Sequence, residues 1–471
     1  MANQANKYEE TYFRDRISTV DSQGKRKWVF AKKPKGPLYN KRRWLAWLLI
    51  AFLFAAPFIK VAGEQLLLFD VLGRKFVIFG IVFWPQDIHL ILLGFITLLV
   101  FIVLFTVIYG RIFCGWVCPQ TIFMEFVYRP IEYLIEGDAA QQKKLAEAPW
   151  NFEKIRKKTL KHLIFFLIAY LISNLFLSYI IGMDQLLANI AAGPSEHLGT
   201  ILALFIFSGA FYFVFAFFRE QVCSIACPYG RLQGVMIDKK TIVVAYDYKR
   251  GEPRGPLKLA EEKGFGDCIA CNACVVVCPT GIDIRNGTQL ECINCTACID
   301  ACNRVMDRVK RPRGLIRYDS EEGVAQGKRN VLNPRSIAYS VVLFLLLIFV
   351  GSLYVMRGDF EATILRAGGS LYQEYGSDSV SNIYNFNIVN KIAEPVNVDI
   401  RLESHPGSIR FIGEKLPVQK GGVGKGTFLV VIAKKDLQQS KSQIKLGLYT
   451  NGRKAETYTS AFVGPNELDN K

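Results

Sequence analysis

Five apolar runs, at 44–62, 88–109, 160–181, 198–218 and 337–356, each approach or exceed the roughly 20 residues that a helix needs to cross a bilayer. A water-soluble core helix does not repeat this five times in one chain, so the expected fold class is a polytopic α-helical membrane protein with five spans. Hydrophobic residues make up 51% of the 471-residue chain, with a mean hydropathy of +0.20, which excludes a disordered polymer. The first run stands behind 43 polar residues with no small-residue cleavage pattern after it. It is expected to be a span, not a removable signal peptide.

Lys and Arg exceed Asp and Glu by 58 to 41, a formal net charge of +17. In a chain this apolar, the excess points to the cytoplasmic membrane face and anionic lipid, not to nucleic acid. Its distribution sets an orientation. Residues 1–43 hold 12 Lys and Arg, residues 110–161 hold nine, and residues 182–197 hold none. The N-terminus and residues 219–336 are therefore expected in the cytoplasm and residues 357–471 outside. The segment 66–87 is apolar but interrupted by Asp70, Arg74 and Lys75, and reads as an interfacial hairpin on the outer face.

Eight of the twelve cysteines form a doubled pattern: Cys268-x2-Cys271-x2-Cys274-x3-Cys278-Pro279 and Cys292-x2-Cys295-x2-Cys298-x3-Cys302. Each matches the bacterial ferredoxin run for a [4Fe–4S] cluster. Three thiolates spaced by two residues wrap three corners of one cube, and the fourth reaches the neighbouring cube. Crossed ligation assigns Cys268, Cys271, Cys274 and Cys302 to one cluster, and Cys278, Cys292, Cys295 and Cys298 to the other. Zinc also uses CxxC spacing, but eight cysteines in this doubled order favour iron–sulfur. Asn303 replaces the proline after the last cysteine.

The remaining four cysteines form two CxxxCP motifs, Cys114-x3-Cys118-Pro119 and Cys223-x3-Cys227-Pro228, each following an apolar run that exits to the same side. This is an internal repeat. On one helix, i and i+4 sulfurs share a face, and a proline after the second cysteine loosens that turn. Four thiols gathered at one depth suit Cu(I), zinc or iron–sulfur. Inert buried thiols and a disulfide cycle remain alternatives. The four histidines, His89, His162, His197 and His405, are not paired for a membrane haem. Met124 and Met183 are isolated and read as packing residues. After residue 356 the chain is cysteine-free and β-rich, with partial alternation at 383–390, 396–402, 427–432 and 444–449. Asn451-Gly452 is a hairpin signal. An immunoglobulin-like sandwich is expected there, as a docking or positioning module.

With these motifs in place, the chain resembles the CcoG/FixG/RdxA family of cytochrome c oxidase accessory proteins along nearly its whole length. The resemblance rests on FWPQD at 83–87, RIFCGWVCPQTIFMEF at 111–126, EYLIEGD at 132–138, REQVCSIACPYGRLQGVMID at 219–238, YDYKRGEPRG at 246–255, and CPTGIDIRNGTQLECINCTACIDAC at 278–302. Ala270 departs from it, standing where an acidic residue is expected. The resemblance implies a bacterial inner-membrane protein that reduces Cu(II) to Cu(I) for assembly of a cbb3-type oxidase, a cupric reductase acting as an assembly factor. Cys114, Cys118, Cys223 and Cys227 are then the catalytic and copper-binding thiols. The implied partners are oxidase assembly factors and copper chaperones, alongside a cytoplasmic electron donor, membrane lipid and a second copy of the chain. Two other classes compete: a quinol-oxidising electron-transfer subunit of NapH type, and a non-enzymatic copper chaperone or scaffold.

The expected organisation is a basic cytoplasmic segment at 1–43, a four-helix membrane region with both CxxxCP motifs at 44–235 and a two-cluster ferredoxin-like domain at 236–336. A fifth transmembrane helix follows at 337–356, then the periplasmic β-sandwich at 357–471.

Overall fold

The computed structural model describes residues 18–21, 23–61, 63–71, 73–83, 87–193, 198–257, 264–327, 334–356, 360–369, 371–390, 395–413, 417–419, 422–437, 439–450 and 452–465. It divides into two compact units, Met1–Val350 and Gly351–Lys471.

Among the described residues, four helices are long and apolar enough to cross a membrane: Ile88–Tyr109, Phe152–Ile181, Leu198–Phe218 and Ser336–Val355. They carry exposed apolar side chains, such as Leu92, Phe101, Leu167, Leu171, Phe205, Ile206, Phe344 and Leu347. Such a belt is incompatible with water and suits lipid. The run expected at 44–62 takes a different form. Its helix, α1 (Pro37–Ala55), starts earlier because Pro37 at the first helical position needs no backbone donor. It stops before Pro57, which cannot continue the helix. Lys41, Arg42 and Arg43 lie in its first half. The two ends of α1 are tied to opposite parts of the unit. Leu38 N and Tyr39 N donate to the Asp300 carboxylate at 3.3 and 2.8 Å, while Tyr179 Oη donates to Leu53 O at 2.6 Å.

The segment expected as a hairpin forms a three-stranded antiparallel sheet, β1 (Leu67–Asp70), β2 (Lys75–Ile78) and β3 (Ile81–Phe83). Just before it, Gln65 donates to Ser178 O and accepts from Met183 N, which fixes it to the end of the long helix Phe152–Ile181.

The chain then builds the same device twice. The helix α2 (Ile88–Tyr109) ends at Gly110, followed by the short α3 (Ile112–Trp116) and by α4 (Pro119–Phe123). A π turn, Met124–Tyr128, joins α4 to α5 (Arg129–Ile135). After α6 (Phe152–Ile181), the helix α7 (Leu198–Phe213) runs into π turns at Val214–Phe218 and Val222–Ala226. The helix α8 (Pro228–Met236) follows.

The cysteine-rich region is framed by an antiparallel strand pair, β4 (Val243–Tyr246) with β5 (Ile316–Asp319). Helix α9 (Ala273–Val276) carries Cys274 of the first cysteine run, and α10 (Ala297–Arg308) carries Cys298 and Cys302 of the second. The final helix of the unit, α11 (Pro334–Val355), leads out of it.

The second unit has a sheet of β6 (Phe360–Arg366), β7 (Gln373–Tyr375), β8 (Ser379–Asn390), β10 (Gly407–Ile412) and β11 (Val423–Ala433). A three-stranded sheet consists of β9 (Val398–Leu402), β12 (Lys441–Thr450) and β13 (Arg453–Val463). Every pairing is antiparallel. Alternate residues of both sheets, including Tyr384, Ile388, Phe428, Val430, Ile444, Leu446 and Phe462, form one core. The strands contain the β-rich runs of the sequence, and Gly452 (φ 79°) turns β12 into β13.

Candidate iron–sulfur and thiol centres

The two ferredoxin runs share an unusual backbone. Ala270 and Asn272 (both φ 56°) bracket Cys271, and Asn294 (φ 53°) and Thr296 (φ 67°) bracket Cys295. Non-glycine residues avoid this region at a cost of about 1–2 kcal/mol each, and such strain collects at functional sites. Here it turns the chain around each middle cysteine, so that three thiols face one side. Asn294 is anchored from two directions: its Oδ1 accepts from Val244 N at 3.1 Å, and its carbonyl accepts from Tyr318 Oη at 2.9 Å. Ala270, the departure from the family pattern, occupies one of these left-handed positions.

Two cavities result. One is lined by Cys268, Cys271, Cys274 and Cys302. The other is lined by Cys278, Cys292, Cys295 and Cys298, together with Cys274. The last cysteine of each run thus crosses to the other run's cavity. The electrostatics agree. Burial pushes the Cys302 thiol up to about 12, with Cys274, Cys271 and Cys268 adding to it. Burial likewise pushes Cys292 up to about 12, with Cys295 and Cys278 adding. Two cradles of four thiols, each with its backbone bent around the middle cysteine, fit one [4Fe–4S] cube apiece.

The thiols of the two CxxxCP motifs lie near enough to act on one another, though among the described residues no three His, Cys, Asp or Glu side chains are arranged to hold a single metal ion. Burial pushes Cys114 up to about 11 and Cys223 up to about 12. Cys118 and Cys227 act on both thiols, and Cys114 acts on Cys223. The motifs are not loosened single helices. Cys118 (φ −58°, ψ 124°) and Cys227 (φ −73°, ψ 113°) are extended, and each caps a new helix whose first residue is the proline. Cys227 Sγ accepts from Gly230 N at 3.4 Å. Proline is well placed there, because that position has no intrahelical acceptor for an N–H.

Each new helix reaches the opposite motif. Gln233, five residues past Pro228, accepts from Cys114 Sγ at 3.4 Å and from Arg111 Nε at 2.8 Å. Met124, five residues past Pro119, lines a small cavity with Cys223, Glu125, Arg129 and Glu220. Met124 is buried in the hydrophobic core, in keeping with its expected packing role; Gln233 was not singled out in the sequence, and its spacing from Pro228 was the available signal. Met183, by contrast, begins a short helix beside Gln65. His162 bonds Tyr212 Oη at 2.9 Å and His405 meets Ser404 Oγ. His89 is the second residue of α2, and His197 lies outside the described residues.

The thiol centre abuts the second cavity. Cys114 packs against Val277, Ile293, Cys295 and Ala297. A Cβ built on Gly115 would overlap Ile293 O and lie 3.1 Å from Cys295 N, so only glycine permits this approach. Trp116 Nε1 donates to Tyr318 Oη at 3.1 Å, tying the same short helix to β5. Beneath lies a buried ionic network that single-residue motifs did not reveal. Arg219 clamps Glu132 with bonds of 2.7 and 2.9 Å. Lys161 reaches Glu136 at 2.9 Å. Arg129 pairs with Glu125 at 3.0 Å and donates to Pro279 O at 3.0 Å. This network links the motif helices to the loop after Cys278.

Apolar spanning helices joined to two four-thiol cradles define a membrane iron–sulfur protein. A 4Fe-4S dicluster domain model matches residues 218–321, a 4Fe-4S binding domain model matches 91–136, and a model of the IG-like fold at the C-terminal of FixG matches 350–465. Protein RdxB of Cereibacter sphaeroides is 32% identical over 411 residues, covering 82% of this chain and 86% of that protein. Nitrogen fixation protein FixG of Rhizobium meliloti is 36% identical over 319 residues, covering 62% of this chain and 60% of its own. A crystal structure of a FixG-related protein from Vibrio parahaemolyticus is 17% identical, covering 23% of this chain and 97% of that one, with a TM-score of 0.18. The chain belongs to the FixG/RdxA family.

Proposed function

We propose that this chain is an inner-membrane oxidoreductase that reduces Cu(II) to Cu(I) at Cys114, Cys118, Cys223 and Cys227, supplying reduced copper for assembly of a cbb3-type oxidase. The observation that carries the reading is the packing of Cys114 and Gly115 directly on the Ile293–Cys295 backbone, which leaves no intervening layer between the thiol centre and the second cradle. When bound, [4Fe–4S] clusters supply single electrons, the stoichiometry of Cu(II) reduction. The chain's own contribution is ligand choice. Thiolates favour Cu(I), whereas Cu(II) favours nitrogen and oxygen, so a four-thiol site stabilises the product. Its enclosure by Gln233, Met124 and the ionic network restricts water around the metal.

In this reading α1 is a fifth crossing, because its ends meet Asp300 at one extreme and Leu53–Tyr179 at the other. Lys41 and Arg43 of its first half then lie at the cytoplasmic surface, while Arg42 is buried in the protein at that level. The cysteine-rich region shares that side, where the electron donor docks, and the sandwich stands in the periplasm. Oxidase assembly factors and copper chaperones are the proposed partners.

A second reading has one specific support. The 4Fe-4S binding domain match at 91–136 contains Cys114 and Cys118 but neither ferredoxin run, which favours an iron–sulfur centre at the CxxxCP thiols. Cys114→Ser and Cys227→Ser separate the two. The copper reading expects Cu(I) formation by the reduced protein to fall at least tenfold with iron content unchanged. Parallel loss of iron establishes the second reading instead.

A further inference from the structure

Four arginines stand beside the two cradles, and they differ in one respect. Beside the cradle of Cys268, Cys271, Cys274 and Cys302, Arg285 is held by Asp283 at 2.6 Å, and Arg250 is paired with Asp267. Both charges are compensated by a carboxylate. Beside the cradle of Cys278, Cys292, Cys295 and Cys298 stand Arg42 and Arg111. Arg111 bonds Gln233 and the carbonyls of Gly230 and Leu290, all neutral acceptors. Arg42 is 1% exposed. Its Nε donates to Gly115 O at 2.5 Å, and its guanidinium lies 5.0 Å from the Phe126 ring centre. Both its Nη atoms are buried without a hydrogen-bond partner. Neither Arg42 nor Arg111 has a carboxylate partner among the described residues.

A buried, unpaired guanidinium is costly to keep, by several kcal/mol in general. It persists where something negative stands opposite it. Arg42 is fastened to Gly115, and Gly115 abuts Cys295 N, so the guanidinium charge lies near enough to Cys295 to act on its thiol. Glu125 also acts on Cys295 but is engaged by Arg129 at 3.0 Å. A [4Fe–4S] cube with four thiolates carries net negative charge, and one added electron makes it one unit more negative. An uncompensated cation favours that addition, while an ion-paired one contributes far less.

We propose that Arg42 raises the reduction potential of the cluster held by Cys278, Cys292, Cys295 and Cys298, so that an electron entering the protein comes to rest beside Cys114. The inference rests on the crossed assignment of the eight cysteines to two clusters. It names Arg42 as a positioning residue, acting on the cofactor by charge and not as a ligand. The added electron comes from the cytoplasmic donor class already invoked, and no bond is made or broken.

The test uses the full-length chain, purified anaerobically in detergent, with iron analysis and a redox titration followed by electron paramagnetic resonance. Arg42→Gln keeps a donor for Gly115 O and removes the charge. The expected result is unchanged iron and a lowered potential for one cluster only, shifting the electron's partition between clusters at least tenfold, or 59 mV for one electron. Arg42→Lys restores most of the shift. Asp283→Asn, which frees Arg285, raises the potential of the other cluster. Unchanged potentials in Arg42→Gln, or equal shifts in both clusters, overturn the proposal. Should Arg42→Gln lose iron, Asp283→Asn decides alone, and no rise in either potential overturns it. Absence of iron from the unmutated chain would instead defeat the cluster assignment itself.

Discussion

Gly110 and Arg219 share one backbone conformation, φ 55°, ψ −131° and φ 50°, ψ −123°, each four residues before the first cysteine of a CxxxCP motif. The repeat therefore extends from the membrane helix through the left-handed turn to the capping cysteine. Glycine takes this turn freely in the first copy. In the second, Arg219 holds it against steric preference, with its guanidinium clamped by Glu132.

That clamp leads to the first prediction. Glu132 and Arg219 are both nearly inaccessible. Burial would raise the Glu132 carboxyl, but Arg219 and Lys161 outweigh it and hold it below the usual carboxylate value. Glu132→Gln should destabilise the protein by about 3–5 kcal/mol, since it removes the two-bond carboxylate partner of buried Arg219 and leaves it only Glu220 at 3.6 Å. Replacing both partners with apolar residues should cost less than the two single changes summed. Denaturation in detergent micelles measures both. A depressed carboxylate contributes stability above its unfolded value, so this contribution is lost as pH falls below about 4.3.

A second prediction concerns Gly115. Alanine there forces α3 away from Ile293 and Cys295. Overpacking of this kind costs about 1–3 kcal/mol. The expected readout is a changed magnetic resonance signal from one cluster only, with slower copper reduction. A wild-type signal and rate would show that the close approach is dispensable.

Proton release provides a third. Burial pushes Cys114 up to about 11 and Cys223 up to about 12 from the ordinary 9.0, so both are neutral thiols near pH 7.5. Binding Cu(I) as thiolates must expel their protons. At least two protons per copper should appear in a weakly buffered titration. Affinity should tighten with rising pH, tenfold per unit for each proton released. The metal-free protein shows the converse: stability from these thiols is complete below about pH 9 and is lost as pH rises through about 11–12.

Topology supplies the fourth. A periplasm-active reporter fused after Val380 should be active and one fused after Gly327 inactive. The reverse result would mean that α1 does not cross.

The doubled ferredoxin run and the β-rich unit were legible because they depend on local spacing and alternation. The approximate places of the four apolar helices were legible for the same reason. The extent of α1 was less so, since Pro37 and Pro57 displaced its ends from the apolar run. The CxxxCP motifs were read as helical i, i+4 pairs, yet each proline starts a fresh helix and turns its preceding cysteine into a cap.

Residue order alone grouped the eight ferredoxin cysteines into two sets of four, because their spacing repeats at a fixed offset. It could not show that Arg42 stands beside Cys295, 253 positions away in number, or that Gly115 lets a second thiol centre touch the same loop. Those neighbours are brought together by helix packing around the buried ionic network. Charge acts through space, so the unpaired guanidinium and the contact between centres become visible only when the chain is folded.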